Sequence, residues 1–310
     1  MDRTMINKMI SELDKKVNKA VNSITNQLVK GRSTHIALSG GKDSTIISCL
    51  FYMAIKSFPA RPGLYHHVIS SNTTIENPKV VMAYKIIHEA IEKIALKDNL
   101  PIKVHEVSPP ITEQFVVSTI GKGKLPIFPG GSHDCAVSWK IRPQEALVKK
   151  LRKEEPSTGV VSLIGNRFEE SAERERNMIS RGESISTVAI NDNGFESLSP
   201  IADWTIDDVF LFLSRAGKGK HYDSYIENFD SVMEFYREAN NDTCMIILGE
   251  GGGNRSSCGA RSGCGFCTVS GDSDKSMESL LRHEENQYLA GINKFRNFLF
   301  ATRFDWSRRE

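Results

Sequence analysis

Ile6, Met9, Ile10, Leu13, Val17, Val21, Ile24 and Leu28 recur at steps of three and four, with Lys15, Lys16 and Lys19 on the far side, which predicts an amphipathic helix over residues 5–28. His35-Ile36-Ala37-Leu38 is a short apolar run that stops at Gly40-Gly41, and Ile46, Ile47, Leu50 and Met53 then restore helical spacing across Lys42 to Lys56. The reading is strand, tight loop, helix. The alternation recurs with a strand at His67 to Ser70, a helix from Lys79 to Ala95 bearing Ile86, Ile87, Ala90, Ile91 and Ile94 on one face, and a strand from Ile102 to Val107. A helix opening near Pro143, where proline suits the first turn, precedes a strand at Val160 to Ile164. Such alternation predicts an α/β fold with a doubly wound, mostly parallel sheet, whose ligands bind at the carboxyl ends of the strands. Thr205 is expected to cap a further helix carrying Val209, Phe210, Phe212 and Leu213. Beyond about residue 216 the pattern fades, which divides the chain into a sheet domain, residues 1–215, and a smaller helical, cysteine-rich region, residues 216–310.

Hydrophobic content of 39% and charged content of 25% exclude disorder as the main state. Forty basic against thirty-eight acidic residues give a formal charge of +2, so any nucleic-acid contact must come from local patches. Lys122, Lys124, Lys218, Lys220 and the tail from Arg296 through Arg303 to Arg308 and Arg309 are the candidates, against the plain alternative of solvated side chains. No apolar run approaches the roughly 18 residues of a membrane span, and the charged N-terminus lacks the apolar stretch of a secretory leader. A cytoplasmic protein with no membrane partner is expected.

Ser39-Gly40-Gly41-Lys42-Asp43-Ser44-Thr45 falls between the first strand and its helix, where backbone N–H groups and the helix dipole favour an anion. Phosphate is the natural guest, although the spacing is not that of a Walker-type loop. The segment resembles the SGGxDS signature of the PP-loop ATP pyrophosphatases. That resemblance implies ATP cleaved between its α- and β-phosphates, with Ser39, Gly40, Gly41, Ser44 and Thr45 donating to the departing pyrophosphate, Lys42 adding positive charge and Asp43 holding Mg²⁺. Gly165-Asn166-Arg167-Phe168-Glu169-Glu170-Ser171-Ala172-Glu173-Arg174 is similar to the GxRxxES motif of the adenylylsulfate and phosphoadenylylsulfate reductase branch, as is Ser199-Pro-Ile-Ala-Asp-Trp-Thr205 with Asp207-Asp208-Val209. Gly165, Arg167, Glu170 and Arg174 are thereby expected at the nucleotide, the two arginines forking onto phosphate oxygens or else pairing with Glu170 and Glu173. Asn72, expected at the same site, stands where relatives carry an aspartate.

Six cysteines are too few for a disulfide scaffold, and four of them, Cys244, Cys258, Cys264 and Cys267, crowd one Gly-rich window. Four thiolates on a pliable backbone suit tetrahedral zinc and a cubane iron–sulfur cluster alike. The run from Ser257 to Val269 followed by Asp274-Lys275-Ser276-Met277 resembles the DNA phosphorothioation sulfurtransferases, the DndC-like proteins and their shorter SspD-type relatives. This resemblance implies a [4Fe–4S] cluster, an ATP-dependent replacement of a DNA phosphate oxygen by sulfur in a defence system, and a cysteine desulfurase and other phosphorothioation proteins as partners. The chain is shorter than the longer DndC-like members, which points to the compact branch or a truncated chain. Cys135, in a stretch where assimilatory reductases carry paired cysteines, is a cluster ligand, a persulfide carrier or a packed thiol, with Lys140 and Arg142 expected to lower its pKa. Cys49 reads as a small core residue. A sulfonucleotide reductase, a tRNA-thiolating PP-loop enzyme and a zinc-stabilised binding module are the competing functions.

Overall fold

A computed structural model describes residues 3–124, 134–154, 158–190, 194–240 and 263–308. The first helix, α1 (Arg3–Val29), buries Leu13, Val17, Ile24 and Leu28 of the expected stripe, with Ala20 beside them, while Ile6, Met9, Ile10 and Val21 are half-buried. Each buried Leu, Ile or Val side chain removed from water contributes about 1.5–3 kcal/mol, so a charge at Leu13 or Ile24 would detach the helix. It packs on α2 (Lys42–Lys56) and α7 (Ile206–Arg215).

Between these come β1 (Ser33–Ala37), β2 (His66–Ser71), α3 (Pro78–Lys97) and β3 (Ile102–Val107). A short helix α4 (Asp134–Ala136) runs through a π-helical turn, Val137–Ile141, into α5 (Arg142–Glu154), and β4 (Val160–Leu163) and α6 (Ala172–Ser180) follow. Two short strands, β5 (Ala189–Ile190) and β6 (Glu196–Leu198), precede α7 and were not anticipated. The sheet order is β3-β2-β1-β4-β6-β5. Its first five members are parallel and only the edge strand β5 runs antiparallel to β6. The mostly parallel α/β fold expected from the alternation is therefore the observed one. On α3 the expected face is narrower: Ile87 and Ile91 are buried, whereas Ile86 is exposed.

Thr205 caps α7 as expected, and the cap is reciprocal. Its Oγ1 accepts from the Asp208 N–H at 3.1 Å while the Asp208 carboxylate accepts from the Thr205 N–H at 2.7 Å. Beyond residue 216 the chain adds α8 (Asp230–Glu238), α9 (Lys275–Leu280) and α10 (Ala290–Thr302). The hydrophobic core does not divide at that point. Phe212 of α7 stacks on Tyr222 with ring centroids 4.7 Å apart, and Phe229, Tyr236, Met277, Leu280 and Leu289 join the cluster built on α1, α2 and β1. A buried carboxylate, Glu238, strengthens the junction by accepting from Lys79 Nζ at 2.7 Å and Asn286 Nδ2 at 2.9 Å. The expected boundary is thus a change of pattern, with one core on both sides of it.

Candidate functional site

The chain leaves β1 toward β2 and leaves β4 toward β6, so the carboxyl ends of β1 and β4 part where the strand order reverses. Crevices of doubly wound sheets open at such points. Here a cavity of about 1010 Å³ is lined by Ser39, Gly41, Lys42, Asp43 and Ser44 after β1, and by Gly165, Arg167, Glu170 and Arg174 after β4.

Two glycines let these loops approach. Gly40 has φ +75°, and a Cβ there would lie 2.9 Å from the Val80 carbonyl oxygen. A Cβ on Gly165 would lie 3.0 Å from the Asp43 backbone and its Cβ. Hydroxyls close the first loop on itself: Ser39 N–H donates to Ser44 Oγ at 3.1 Å, and Ser44 Oγ–H donates to the Gly41 carbonyl at 3.0 Å. Gly41, the N-cap of α2, supplies no side-chain cap, which leaves the Lys42 N–H at the helix start for an outside acceptor. That acceptor is the phenol oxygen of Tyr236, at 3.3 Å.

Asp43 is held between two cations. Its Oδ1 accepts from Arg167 Nε at 2.8 Å and its Oδ2 from Lys42 Nζ at 2.9 Å. Arg167 is almost fully buried and also donates to the Trp204 carbonyl at 3.3 Å. Arg174 instead pairs with Glu170, one helical turn away. Both arginines are thus paired with carboxylates, Arg174 within its own loop and Arg167 with Glu169 at 3.5 Å and, more closely, with Asp43 of the other loop. Burial alone would push the Lys42 pKa down, but Tyr236 and Asp43 outweigh it and hold the ammonium above its ordinary value. Burial raises Glu170, against the pull of Arg174. Asp43, the expected Mg²⁺ ligand, thus has one cation on each carboxylate oxygen.

Three thiols, Cys135, Cys264 and Cys267, line the same cavity. The C-terminal pair is pinned by backbone bonds to the residues that follow β2: Asn77 N–H donates to the Gly263 carbonyl at 3.0 Å, and Gly265 N–H to the Ile75 carbonyl at 2.7 Å. Cys264 Sγ lies 3.7 Å from Thr73 Oγ1 and 3.8 Å from Glu76 Oε1, and Glu76 in turn accepts from Lys140 Nζ at 2.7 Å. Burial, reinforced by Glu76, pushes the Cys264 thiol up to about 12 despite Lys140. Cys135 is raised as well, by burial and then by Cys267, and Lys140 does not offset them; the expected lowering is overturned because desolvation exceeds the attraction of one lysine. Cys49 is buried and pushed up to about 12, the inert core thiol expected of it.

Cys244 and Cys258 lie outside the described residues. Among the described residues no three His, Cys, Asp or Glu side chains stand at metal-ligating distance. Gly40, Thr45 and Asn72 do not line the cavity. The Thr45 N–H is already donated to the Gly41 carbonyl at 3.0 Å, and Asn72 Nδ2 donates to Glu106 at 3.1 Å. Arg296, expected on a basic tail, is buried: it donates to the Cys267 carbonyl at 3.0 Å, the Asp272 carbonyl at 2.8 Å and Ser270 Oγ at 2.8 Å, and so shapes the loop that follows the thiols. Lys218 is paired with Glu227 at 3.3 Å, and Arg303 lies over the Phe300 ring. Tyr236 and Arg296 carry no motif, and only the fold brings them to the site.

The sequence profile of the phosphoadenosine phosphosulfate reductase domain matches residues 33–224, from the first residue of β1 to beyond α7. The chain belongs to the phosphoadenosine phosphosulfate reductase domain family. No curated relative matches it. Solved structures of similar fold include a phosphoadenylyl-sulfate reductase from Candida auris in a phosphate complex, 12% identical over 66% of this chain and 81% of that one, TM-score 0.39. They also include the U34-tRNA thiolase NcsA from Methanococcus maripaludis with its [4Fe–4S] cluster, 15% identical over 95% and 80%, TM-score 0.38. An NH3-dependent NAD synthetase from Campylobacter jejuni is 13% identical over 94% and 96%, TM-score 0.40. The reductase-domain match contains the two cavity loops after β1 and β4 and Cys135 but stops before Cys264 and Cys267. No helix among the described residues is long and apolar enough to cross a membrane.

Proposed function

We propose that this reductase-domain protein is an ATP pyrophosphatase coupled to sulfur transfer, which adenylylates a DNA backbone phosphate and supports its conversion to phosphorothioate. The observation that carries the reading is the opening of Cys135, Cys264 and Cys267 onto the cavity that holds the Ser39 to Ser44 loop. A purely nucleotide-binding domain has no use for three thiols there.

ATP binds with its β- and γ-phosphates at the start of α2, where the helix dipole and the Lys42 ammonium oppose their charge. A nonbridging oxygen of the DNA phosphate attacks the α-phosphorus, the bond to the α,β-bridging oxygen breaks, and pyrophosphate leaves. Lys42 stabilises the charge that develops on it. Hydrosulfide-level sulfur then attacks the DNA phosphorus and loses its proton, and AMP departs with the original oxygen. The donor type at the thiols fits an iron–sulfur cluster, three soft ligands lining one cavity, but Cys135, Cys264 and Cys267 must draw together to hold it. When bound, the cluster supplies a place to hold inorganic sulfur near the nucleotide. The sulfur source is a cysteine desulfurase, whose enzyme persulfide a dithiol reductant cleaves to hydrosulfide and enzyme thiol, the reductant leaving as its disulfide.

Anaerobic purification with iron and sulfide counting, joined to mass spectrometry of nuclease-digested DNA from cells with wild-type protein or Cys264→Ser, tests the proposal. Cluster-bearing protein and Cys264-dependent phosphorothioate linkages are expected; colourless zinc-loaded protein would refute it. A second reading, a sulfonucleotide reductase, is favoured by the span of the family match. It predicts sulfite release from an adenylylsulfate without any ATP-to-pyrophosphate turnover.

A further inference from the structure

We propose that Tyr236 is a positioning residue of the anion site: its phenol accepts the first N–H of α2 and donates to the phosphate that arrives beside it. This rests on reading the Ser39 to Ser44 loop as the phosphate site.

Gly41 leaves α2 without a side-chain cap, and the Lys42 N–H finds its acceptor in Tyr236 Oη at 3.3 Å, brought from α8. The Lys42 ammonium lies 4.9 Å from the centroid of the same ring. One side chain thus engages both the backbone donor and the mobile cation that a bound phosphate would need. Tyr236 is only 3% exposed, its ring edge-on to Phe210 and Phe235 at 6.1 and 5.4 Å. Two residues further on, Glu238 clamps the end of α8 to Lys79 and Asn286. A ring held in this way has little room to swing aside. A phosphate oxygen that arrives beside the Lys42 N–H therefore lies within hydrogen-bond reach of the hydroxyl. A phenol both accepts and donates, so Tyr236 accepts the Lys42 N–H and donates toward phosphate at once.

Calorimetric titration of wild type, Tyr236→Phe and Tyr236→His with inorganic pyrophosphate, an α,β-methylene ATP analogue and AMP tests this. Tyr236→Phe should weaken pyrophosphate and the analogue about tenfold, the cost of one hydrogen bond to a charged group, and leave AMP unchanged. Tyr236→His, which retains a ring N–H donor, should recover part of the loss. In otherwise native protein carrying 3-fluorotyrosine, the Tyr236 ¹⁹F resonance should move on addition of pyrophosphate and not of AMP, a readout independent of how the variants fold. Equal pyrophosphate affinity in wild type and a folded Tyr236→Phe, an equal loss for AMP, or an unmoved resonance in pyrophosphate-bound protein would overturn the assignment of Tyr236 alone. Wild type that binds no pyrophosphate would instead overturn the phosphate-loop reading, and this assignment with it.

Discussion

Arg167 Nε donates to Asp43 Oδ1 at 2.8 Å across the point where β1 and β4 diverge, so the loop after one strand is fastened to the loop after the other. Arg167 has a side chain only 4% exposed and Asp43 is 19% exposed, and the pair is shielded from solvent screening. Removing Arg167 leaves Asp43 with Lys42 alone and unfastens the two loops.

Arg167→Ala should therefore destabilise the protein by about 2 kcal/mol, less than a fully broken buried pair because Lys42 still compensates Asp43. Arg167→Lys should recover little, because an ammonium cannot place one N–H on Asp43 and another on the Trp204 carbonyl. Urea unfolding of the two variants checks this; a loss below about 1 kcal/mol in Arg167→Ala would mean that the pair contributes no more than a surface bridge.

The three cavity thiols make separate predictions. Cys135→Ser and Cys267→Ser should each lower the iron content of anaerobically purified protein, since both side chains line the cavity, and Cys49→Ser should leave it unchanged because Cys49 is buried within α2 and does not line it. Iron retained in Cys135→Ser would assign the cluster to the window of Cys244, Cys258, Cys264 and Cys267 alone.

What could be read along the chain was local. The bounds of α2 at Lys42 and Lys56 and of β3 at Ile102 and Val107 coincide with the expected ones, because helical or strand periodicity and Gly or Pro punctuation are written in neighbouring residues. The strands β5 and β6 have two and three residues, too few to show a period. Ser39, Lys42, Asp43, Ser44 and Arg167 were recognisable from their motifs, but the Asp43 to Arg167 bond was not, since it depends on which strands become neighbours. The approach of Tyr236 to Lys42, and the burial of Arg296 in what reads as a basic tail, are likewise tertiary: charge is visible in a sequence and desolvation is not.

Arg296 gives the clearest case. Its guanidinium serves the carbonyls of Cys267, Gly271 and Asp272, and Arg296→Ala would leave these acceptors without their donor. The expected outcome is faster amide hydrogen exchange confined to residues 264–275, with reduced iron retention and an intact α1 to α7 core. Weaker DNA binding with unchanged exchange would mark Arg296 as the surface contact its sequence position suggests.

Buried histidines set the dependence on acid. Burial lowers His35 to about 3, with the charges of His67 and His105 adding to it; burial lowers His66 to about 3, with His67 adding; and burial lowers His88 to about 4 against the opposing pull of Glu106. The Nδ1 of His66 accepts the Thr34 N–H at 3.2 Å, a bond that protonation of that nitrogen would abolish. In the unfolded chain all three take up a proton near pH 6.5, whereas the folded protein keeps them neutral down to about pH 3 to 4. Their contribution is therefore complete above pH 6.5 and is lost progressively as the pH falls toward the folded values, with a slope of about 1.4 kcal/mol per pH unit for each. Asp14, Glu106, Asp223 and Glu238, whose pKa values are lowered on folding, add their losses only below about pH 4.5, so between 6.5 and 5 the three histidines dominate, opposed by Glu170, whose raised pKa adds stability as the pH falls. Urea midpoints across that interval should fall steadily in the wild type and less steeply in His66→Gln; a flat profile in the wild type would mean that the buried imidazoles take up protons in the folded state.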